Sequence, residues 1–505
     1  MRSKKAIANI IASLSLEILK IIFGLIIPRL ILQKFGSNVN GLVSSISQFL
    51  SYIVLLESGV GGVARAALYK PLADNDNFAV SRIVKAVEDF FKTVALIYLG
   101  YLVTISTLYP YLVKENFDYF FTFTLALIIG FSTFVQYYFG ITYQIILNAD
   151  QKKYISTSLE ICTTVLNSLA IIFLIYTGFS IHIVKLTSAS IFIIRPLLIR
   201  RYVLKKYGII HYCEPDKYAL KQRWDGLGHH IAFFLHSNTD IVVLTIFQSI
   251  NEVSVYSVYY LVIANIQKIT VTFFSSLEAA FGNMIANNEK ETLDKNFRLF
   301  EFFSFSITTV LFTATAILIL PFIKLYTIGI TDADYYRPTF AYILILAEAI
   351  YCIRIPYNSV VLAAGHFRQT RNGAFVEAFI NIVLSCILVI PLGVTGVAIG
   401  TLCAMLIRTI EYAIYLSRNI LKRNISEFIK RMIIYACTSA IIIFVVSLIP
   451  HMIIDSYLSW IIYAIEVVLI ATIITTIISF LFYFKDIGNT FSMLKRIVSK
   501  SLRTT

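Results

Sequence analysis

Residues 6–32 read AIANIIASLSLEILKIIFGLIIPRLIL, a stretch in which only Asn9, Glu17, Lys20 and Arg29 carry an amide or a charge. Later, Ile441-Ile442-Ile443-Phe444-Val445-Val446 has no polar side chain at all. A membrane strand alternates apolar and polar residues over about 10 positions, and neither run does so. A helix rising about 1.5 Å per residue needs about 20 such residues to cross roughly 30 Å of hydrocarbon. Both runs therefore read as transmembrane helices. The basic start Met1-Arg2-Ser3-Lys4-Lys5 resembles a signal sequence, but the apolar stretch behind it outruns a secretory h-region and lacks a small-residue cleavage site. The first helix is expected to stay as a span.

The whole chain agrees with these runs. Of 505 residues, 58% are hydrophobic and 14% charged, against about 45–50% and about 25% in soluble domains. That charge is too sparse to cover a water-facing surface, and the wealth of large apolar residues excludes disorder. The expected class is an all-α polytopic membrane protein. The net charge of +14 does not point to nucleic acid, because the basic residues flank apolar segments instead of forming one block. The 6 cysteines have no CxxC spacing. Cys162, Cys352, Cys386, Cys403 and Cys437 lie in apolar runs and are expected to be small buried hydrophobes, while Cys213 lies in a basic loop.

About fourteen spans can be read, near 6–32, 41–66, 90–113, 118–147, 154–177, 181–203, 228–250, 254–284, 298–322, 338–364, 372–391, 393–417, 430–452 and 457–484. With both termini cytoplasmic, inner segments hold 31 of the 43 Lys and Arg and outer segments hold 5. That is the asymmetry of the positive-inside rule. The longest inner connection, 204–227, divides the reading into an N-terminal six-helix lobe (1–203) and a C-terminal six-helix lobe (228–417). An extra helix pair (418–484) and a basic cytoplasmic tail (485–505) follow. In the tail, Phe491, Leu494, Val498 and Leu502 share a face ringed by Lys495, Arg496, Lys500 and Arg503, the pattern of a helix lying on an anionic leaflet. Weakly repeated halves are a common transporter architecture.

Charged residues at the bilayer centre cost roughly 2.5–3.5 kcal/mol on insertion scales and face a cavity or a partner. The first span carries Asn9, Ser13, Glu17, Lys20 and Gly24 on one stripe. Glu17 and Lys20 either pair with each other or line a hydrated cavity. The second span carries Ser44, Gln48, Ser51, Ser58, Gly62 and Arg65 on one face. Its run Glu57-Ser58-Gly59-Val60-Gly61-Gly62 is no phosphate loop, since no Lys-Ser or Lys-Thr follows. The seventh places His229, His236 and Asp240 together, which fits either a proton or cation site or a structural group. One helix offers too few ligands for a metal, so no metal site is expected. The eighth aligns Asn265, Lys268, Thr272, Ser276 and Asn283, and the tenth carries Glu348 and Arg354. The eleventh aligns Glu377, Asn381 and Ser385, and in the twelfth Arg408 and Glu411 are expected to pair locally. Glu160, Arg195 and Glu466 stand alone in this reading. No Walker motif, nucleophile elbow or HExxH occurs, so no cofactor is expected and the drive is an ion gradient or the substrate gradient.

One segment points to a family. Gly36-Ser37-Asn38-Val39-Asn40-Gly41-Leu42-Val43-Ser44-Ser45-Ile46-Ser47-Gln48-Phe49-Leu50-Ser51-Tyr52, continuing through Leu55-Leu56-Glu57-Ser58-Gly59 and Ala67-Leu68-Tyr69-Lys70-Pro71-Leu72, resembles the Wzx-type polysaccharide flippases. So do Leu147-Asn148-Ala149-Asp150-Gln151-Lys152-Lys153-Tyr154 and the segment from Leu325 to Tyr335. That family belongs to the multidrug/oligosaccharidyl-lipid/polysaccharide (MOP) exporter superfamily. The resemblance implies a MOP/MATE-like fold of two bundles around a cavity, working by alternating access in a bacterial cytoplasmic membrane. It implies a substrate too: an oligosaccharide on undecaprenyl pyrophosphate, moved from the inner to the outer leaflet for cell-surface polysaccharide synthesis. A proton or Na+ would be the coupling ion, with a polysaccharide polymerase and other biosynthesis proteins as partners.

The anionic pyrophosphate needs cations within the span, and Lys20, Lys268, Arg65 and Arg354 supply them. Asp240, His236 and His229 are then the coupling candidates, and Glu17, Ser13, Gln48, Asn265, Glu377 and Asn381 the cavity lining. There are three rival readings, of which a non-transporting scaffold leaves the charged stripes unexplained. An ion-coupled multidrug exporter of the same superfamily is disfavoured by the 36–72 resemblance. A membrane polymerase or ligase is disfavoured because the longest outer connection is only about 323–337. The chain is accordingly not expected to be an enzyme.

Overall fold

A computed structural model describes the chain except Met1, Ser58, Glu115, His211, Lys217, 222–226, 276–277, Asn288, 450–453 and 502–505. For 2–4, 6, 227–233, 235–237, 273, 275, 278–280 and 485–501 it describes the backbone alone. The described residues form helices and no strand. In chain order these are α1 (Arg2–Ser51), α2 (Val54–Glu57), α3 (Val60–Ala73), α4 (Asn77–Leu112), α5 (Tyr119–Phe139), α6 (Ile141–Ala149), α7 (Lys153–Tyr176), α8 (Ile181–Tyr207) and α9 (Leu227–Phe247). They continue as α10 (Ile250–Ser275), α11 (Glu278–Ala286), α12 (Lys290–Tyr326), α13 (Pro338–Ala363), α14 (Phe367–Leu392), α15 (Val394–Asn419), α16 (Ser426–Ser447) and α17 (Tyr457–Ser501).

Among the described residues each expected span is helical over most of its length, but some spans are broken. The first two join through Gly36, at φ +82°, a conformation that glycine adopts without the Cβ penalty. The second span ends in pieces, α2 and α3, separated at Gly59 with φ +87°. The fourth divides at Gly140 into α5 and α6. Connections supply caps where the chain leaves the apolar run. Asp76 accepts from the amides of Phe78 and Ala79, and Asp118 from those of Phe120 and Phe121, satisfying donors that a helix start leaves open.

Among the described residues eleven helices are long and apolar enough to cross a membrane. Their outward faces are apolar: Ile7, Ile10, Ile11, Leu14 and Ile18 recur at helical spacing and stay exposed. In water such a surface would aggregate; in lipid it is the expected exterior. The protein is a multi-pass membrane protein. The same exterior corrects the cysteine reading. Cys352 is buried, whereas Cys162 and Cys437 are exposed, because a small hydrophobe is as well placed on a lipid-facing surface as in a core.

The helices form two compact units, one of Met1–Ser257 with Gly329–Ala333, the other of Val258–Ile328 with Asp334–Thr505. In the first, α7 packs on α1 and α8, and α5 on α4 and α8. In the second, α13, α14 and α15 pack together and α12 receives α13, α16 and α17. Residues 228–257, which follow the connection 204–227, group with the first unit. The expected extra pair, 418–484, belongs with the second through Ala314, Leu318, Ile442, Val446, Tyr463 and Val467.

The start of α10 joins the first unit through a close approach to the second half of α1. A Cβ at Gly41 would sit 2.0 Å from the carbonyl oxygen of Ile250, so only glycine allows this approach. We predict that Gly41→Ala lowers the thermal midpoint of the detergent-purified protein, in line with an overpacking cost of about 1–3 kcal/mol. An unchanged midpoint would contradict the close approach.

Candidate functional site: intramembrane charges and a polar seam

At its start, α1 is tied to the turn between α6 and α7. Lys5 Nζ lies 3.1 Å from Asp150 Oδ1, and Lys152 Nζ lies 2.5 Å from Asp150 Oδ2. Tyr207 donates its hydroxyl to the same carboxylate at 2.6 Å. Asn9 completes the tie, donating to the Gln151 carbonyl and accepting from the Tyr154 amide at 2.7 Å. Burial pushes the Asp150 carboxyl up, but the hydrogen bonds from Lys152, Tyr207 and Lys5 outweigh it and hold the group below its ordinary value.

Midway along α1, Lys20 reaches across to α7 and pairs with Glu160 at 2.8 Å, in place of the local Glu17 partner considered from sequence. An interhelical pair wins because it neutralises a charge on each of two helices. Glu160 also meets Arg195 of α8 at 3.2 Å, and Arg195 donates to the side-chain carbonyl of Gln136 on α5. Two cations thus share one carboxylate. Their side chains are 41% (Lys20), 28% (Glu160) and 18% (Arg195) exposed, so the cluster is open to a ligand. Sequence reading missed Glu160 and Arg195, since helical periodicity shows neighbours on one helix and not across several. Glu17 is exposed and Ser13 half-buried on the same helix.

Beyond Gly36, one face of α1 carries a polar seam. Ser37 donates from its amide and its hydroxyl to the Asp332 carboxylate, at 2.7 and 2.6 Å. Asn40 donates to the Ser254 and Ser257 hydroxyls at 2.8 and 3.3 Å. Ser45 meets Thr245 at 2.6 Å and accepts from Tyr109, and Gln48 donates to the side-chain carbonyl of Asn238 at 2.7 Å. Ser45 and Asp332 did not figure among the sequence candidates; Gln48 did. Asp240 is buried, and Tyr256 donates to its Oδ2 at 2.8 Å. The side chains of His229, His236 and Ser276, the residue Ser58 and the side chains of the tail face, Phe491 to Leu502, lie outside the described residues. Arg65 is exposed, with its Nε donating to the Gly61 carbonyl at 3.2 Å. Glu57 accepts from Tyr137 at 2.7 Å.

The second unit treats charge differently. Arg354 meets Glu377 at 2.5 Å, and Arg408 meets both Glu377 (3.5 Å) and Glu411 (2.6 Å). Here two arginines face two glutamates, and Arg354, Glu377 and Arg408 are at most 9% exposed. Arg354 and Glu377, a pyrophosphate candidate and a cavity candidate, are thus each other's partners in a sealed cluster. Asn381, fully buried, donates to Thr401 at 2.9 Å and joins α14 to α15. Glu348 accepts from Gln267 at 2.7 Å. Asn265 donates to its own helix at Leu261, and Lys268 is exposed. A further cluster had no sequence signal: fully buried Glu301 receives Arg423 at 2.6 Å, Arg431 at 3.1 Å and the Tyr357 hydroxyl. Among the described residues no group of three His, Cys, Asp or Glu is placed to hold a metal.

No protein-family model and no curated protein sequence matches the chain. Solved structures do. A structure described as lipid II flippase MurJ in an inward closed conformation superposes with a TM-score of 0.69 at 18% identity, over 95% of this chain and 100% of the other. An inward-facing multidrug resistance MATE family transporter of the MOP superfamily follows at 0.61 and 14%, over 81% and 98%. The Vibrio cholerae MATE transporter VcmN in its bent form gives 0.54 and 14%, over 83% and 97%. The chain has the MurJ/MATE-like fold.

The Asp150 cluster yields a pH prediction. Its folded carboxyl is depressed, so its stabilisation is present above the ordinary value of 3.8 and is lost as pH falls through the folded value. We predict that Asp150→Asn lowers the thermal midpoint at pH 7 and narrows the gap to wild type below pH 3.8. A gap that stays constant with pH would remove Asp150 from the ionic tie.

Proposed function

We propose that the protein translocates an oligosaccharide linked to a polyprenyl pyrophosphate, for cell-surface polysaccharide synthesis in a bacterial cytoplasmic membrane. The carrying observation is the Lys20–Glu160–Arg195 cluster, which sets two cations against one carboxylate within the span and leaves them partly exposed. An excess cation in a low-dielectric setting is costly unless an anion visits it, and a pyrophosphate is such an anion. Arg65 and Lys268 are further exposed cations for the headgroup, whereas Arg354 serves Glu377. The fold shared with a lipid II flippase supports a lipid-linked cargo, and conformations of its relatives support alternating access. A motor-free chain would take its drive from a proton or Na+ gradient, with buried Asp240 the coupling residue.

The rival reading, an ion-coupled multidrug exporter, draws on the likeness to MATE transporters. A site for cationic drugs wants surplus carboxylate, and the cluster on α1 has the opposite balance.

The test is translocation of a fluorescent polyprenyl-pyrophosphate saccharide in proteoliposomes. Lys20→Arg should retain the rate, and Lys20→Ala should reduce it about tenfold, equivalent to about 1.4 kcal/mol, while the protein stays folded. A wild-type rate for Lys20→Ala would overturn the assignment. Separately, Asp240→Asn should abolish the response to an imposed ion gradient and leave membrane insertion intact; an unchanged response would exclude Asp240 from coupling.

A further inference from the structure

The second unit contains a feature that the transport reading does not use. An apolar cavity of about 660 Å³ runs between α15 and α16, with Leu406, Ile410 and Ile414 on one wall and Ile429 and Ile433 on the other. It ends at Arg418 and Arg423. From Leu406 to Arg418 the wall is continuous helix, about 18 Å long at 1.5 Å per residue. That is close to half of a hydrocarbon core about 30 Å thick, the depth of one leaflet. Ile410, Ile429 and Ile433 remain exposed, so the groove opens to its surroundings.

The charge at the end of the groove is what identifies the occupant. Residues 418–431 hold Arg418, Lys422, Arg423, Lys430 and Arg431 against the single acid Glu427. Arg423 and Arg431 are taken up by Glu301. Arg418 and Lys422 are exposed, and among the described residues no carboxylate lies within ion-pair distance of either. Arg423 adds a second observation: its side chain is only 4% exposed, and its buried Nε has no hydrogen-bond partner. Water would not fill so apolar a groove. A second copy of the chain would bring its own basic segment against this one. A lipid with an apolar chain and an anionic head meets both requirements.

We propose that this groove is a binding site for an anionic phospholipid, with one acyl chain along α15 and α16 and the phosphate at Arg418 and Lys422. Because the chain leaves one apolar medium for another, preference comes from the headgroup and not from burial of methylenes. The site is independent of which substrate the protein carries, and its test does not involve transport.

The full chain, purified in detergent and stripped of lipid, is titrated with phosphatidylglycerol or phosphatidylcholine, and retained lipid is counted by native mass spectrometry. We expect one phosphatidylglycerol held per chain, about tenfold more tightly than phosphatidylcholine. Arg418→Gln combined with Lys422→Gln should erase that preference, and both are surface changes that leave packing intact. Ile410→Trp, which fills the groove, should release both lipids. Equal retention of the two lipids by the wild type, or an unchanged preference in the double variant, would overturn the proposal. If Ile410→Trp fails to fold, the double variant decides alone.

Discussion

An ionised side chain in hydrocarbon has to find a counter-charge or a wet surface, at a cost of roughly 2.5–3.5 kcal/mol if it does not. That constraint decides which helices of this protein are neighbours. Lys20 on α1 and Arg195 on α8 both turn to Glu160 on α7. Arg354 on α13 and Arg408 on α15 both turn to Glu377 on α14. Replacing such a cluster by well-packed apolar residues is often neutral or stabilising, so stability alone does not explain it. What the clusters give is specificity of pairing. Lipid is as apolar as the helix surfaces, so hydrophobicity cannot choose one helix partner over another.

The two clusters differ in their balance, and the proposed function draws on that difference. In the second unit Glu411 brings the charges into balance, and Arg354, Glu377 and Arg408 are at most 9% exposed. In the first a cation is left over and the side chains are reachable. The polar seam from Ser37 to Gln48 is of a third kind, built mostly of neutral hydroxyls and amides. Hydrogen bonds across membrane helices average about 0.6 kcal/mol each. A seam of such bonds holds one state without locking it. The Asp332 carboxylate on Ser37 is a charged rung in it.

Much of the fold was legible in the chain, because span length and basic flanks are local properties. Runs such as 441–446 and the asymmetric placement of Lys and Arg located each span. The breaks at Gly59 and Gly140 were not legible, since apolar composition continues through them. Site residues followed the same divide. The Arg408–Glu411 pair, three apart on one helix, was readable, and the structure contains it at 2.6 Å. Lys20 with Glu160 was not, because 140 residues separate them. The seam shows the middle case: a stripe containing Gln48 was visible, while its partners Asn238, Thr245 and Ser254 had no marking of their own. The contacts that group residues 228–257 with α1 were not legible for the same reason, since such bonds are invisible to periodicity.

The central claim is that surplus positive charge within the span selects an anionic lipid cargo. The direct measurement is a side-by-side transport assay in one preparation of proteoliposomes, offering a labelled polyprenyl-pyrophosphate saccharide and a lipophilic cationic dye under the same ion gradient. The account predicts that the lipid-linked saccharide changes leaflet and the dye does not accumulate. Accumulation of the dye with no movement of the lipid would contradict it.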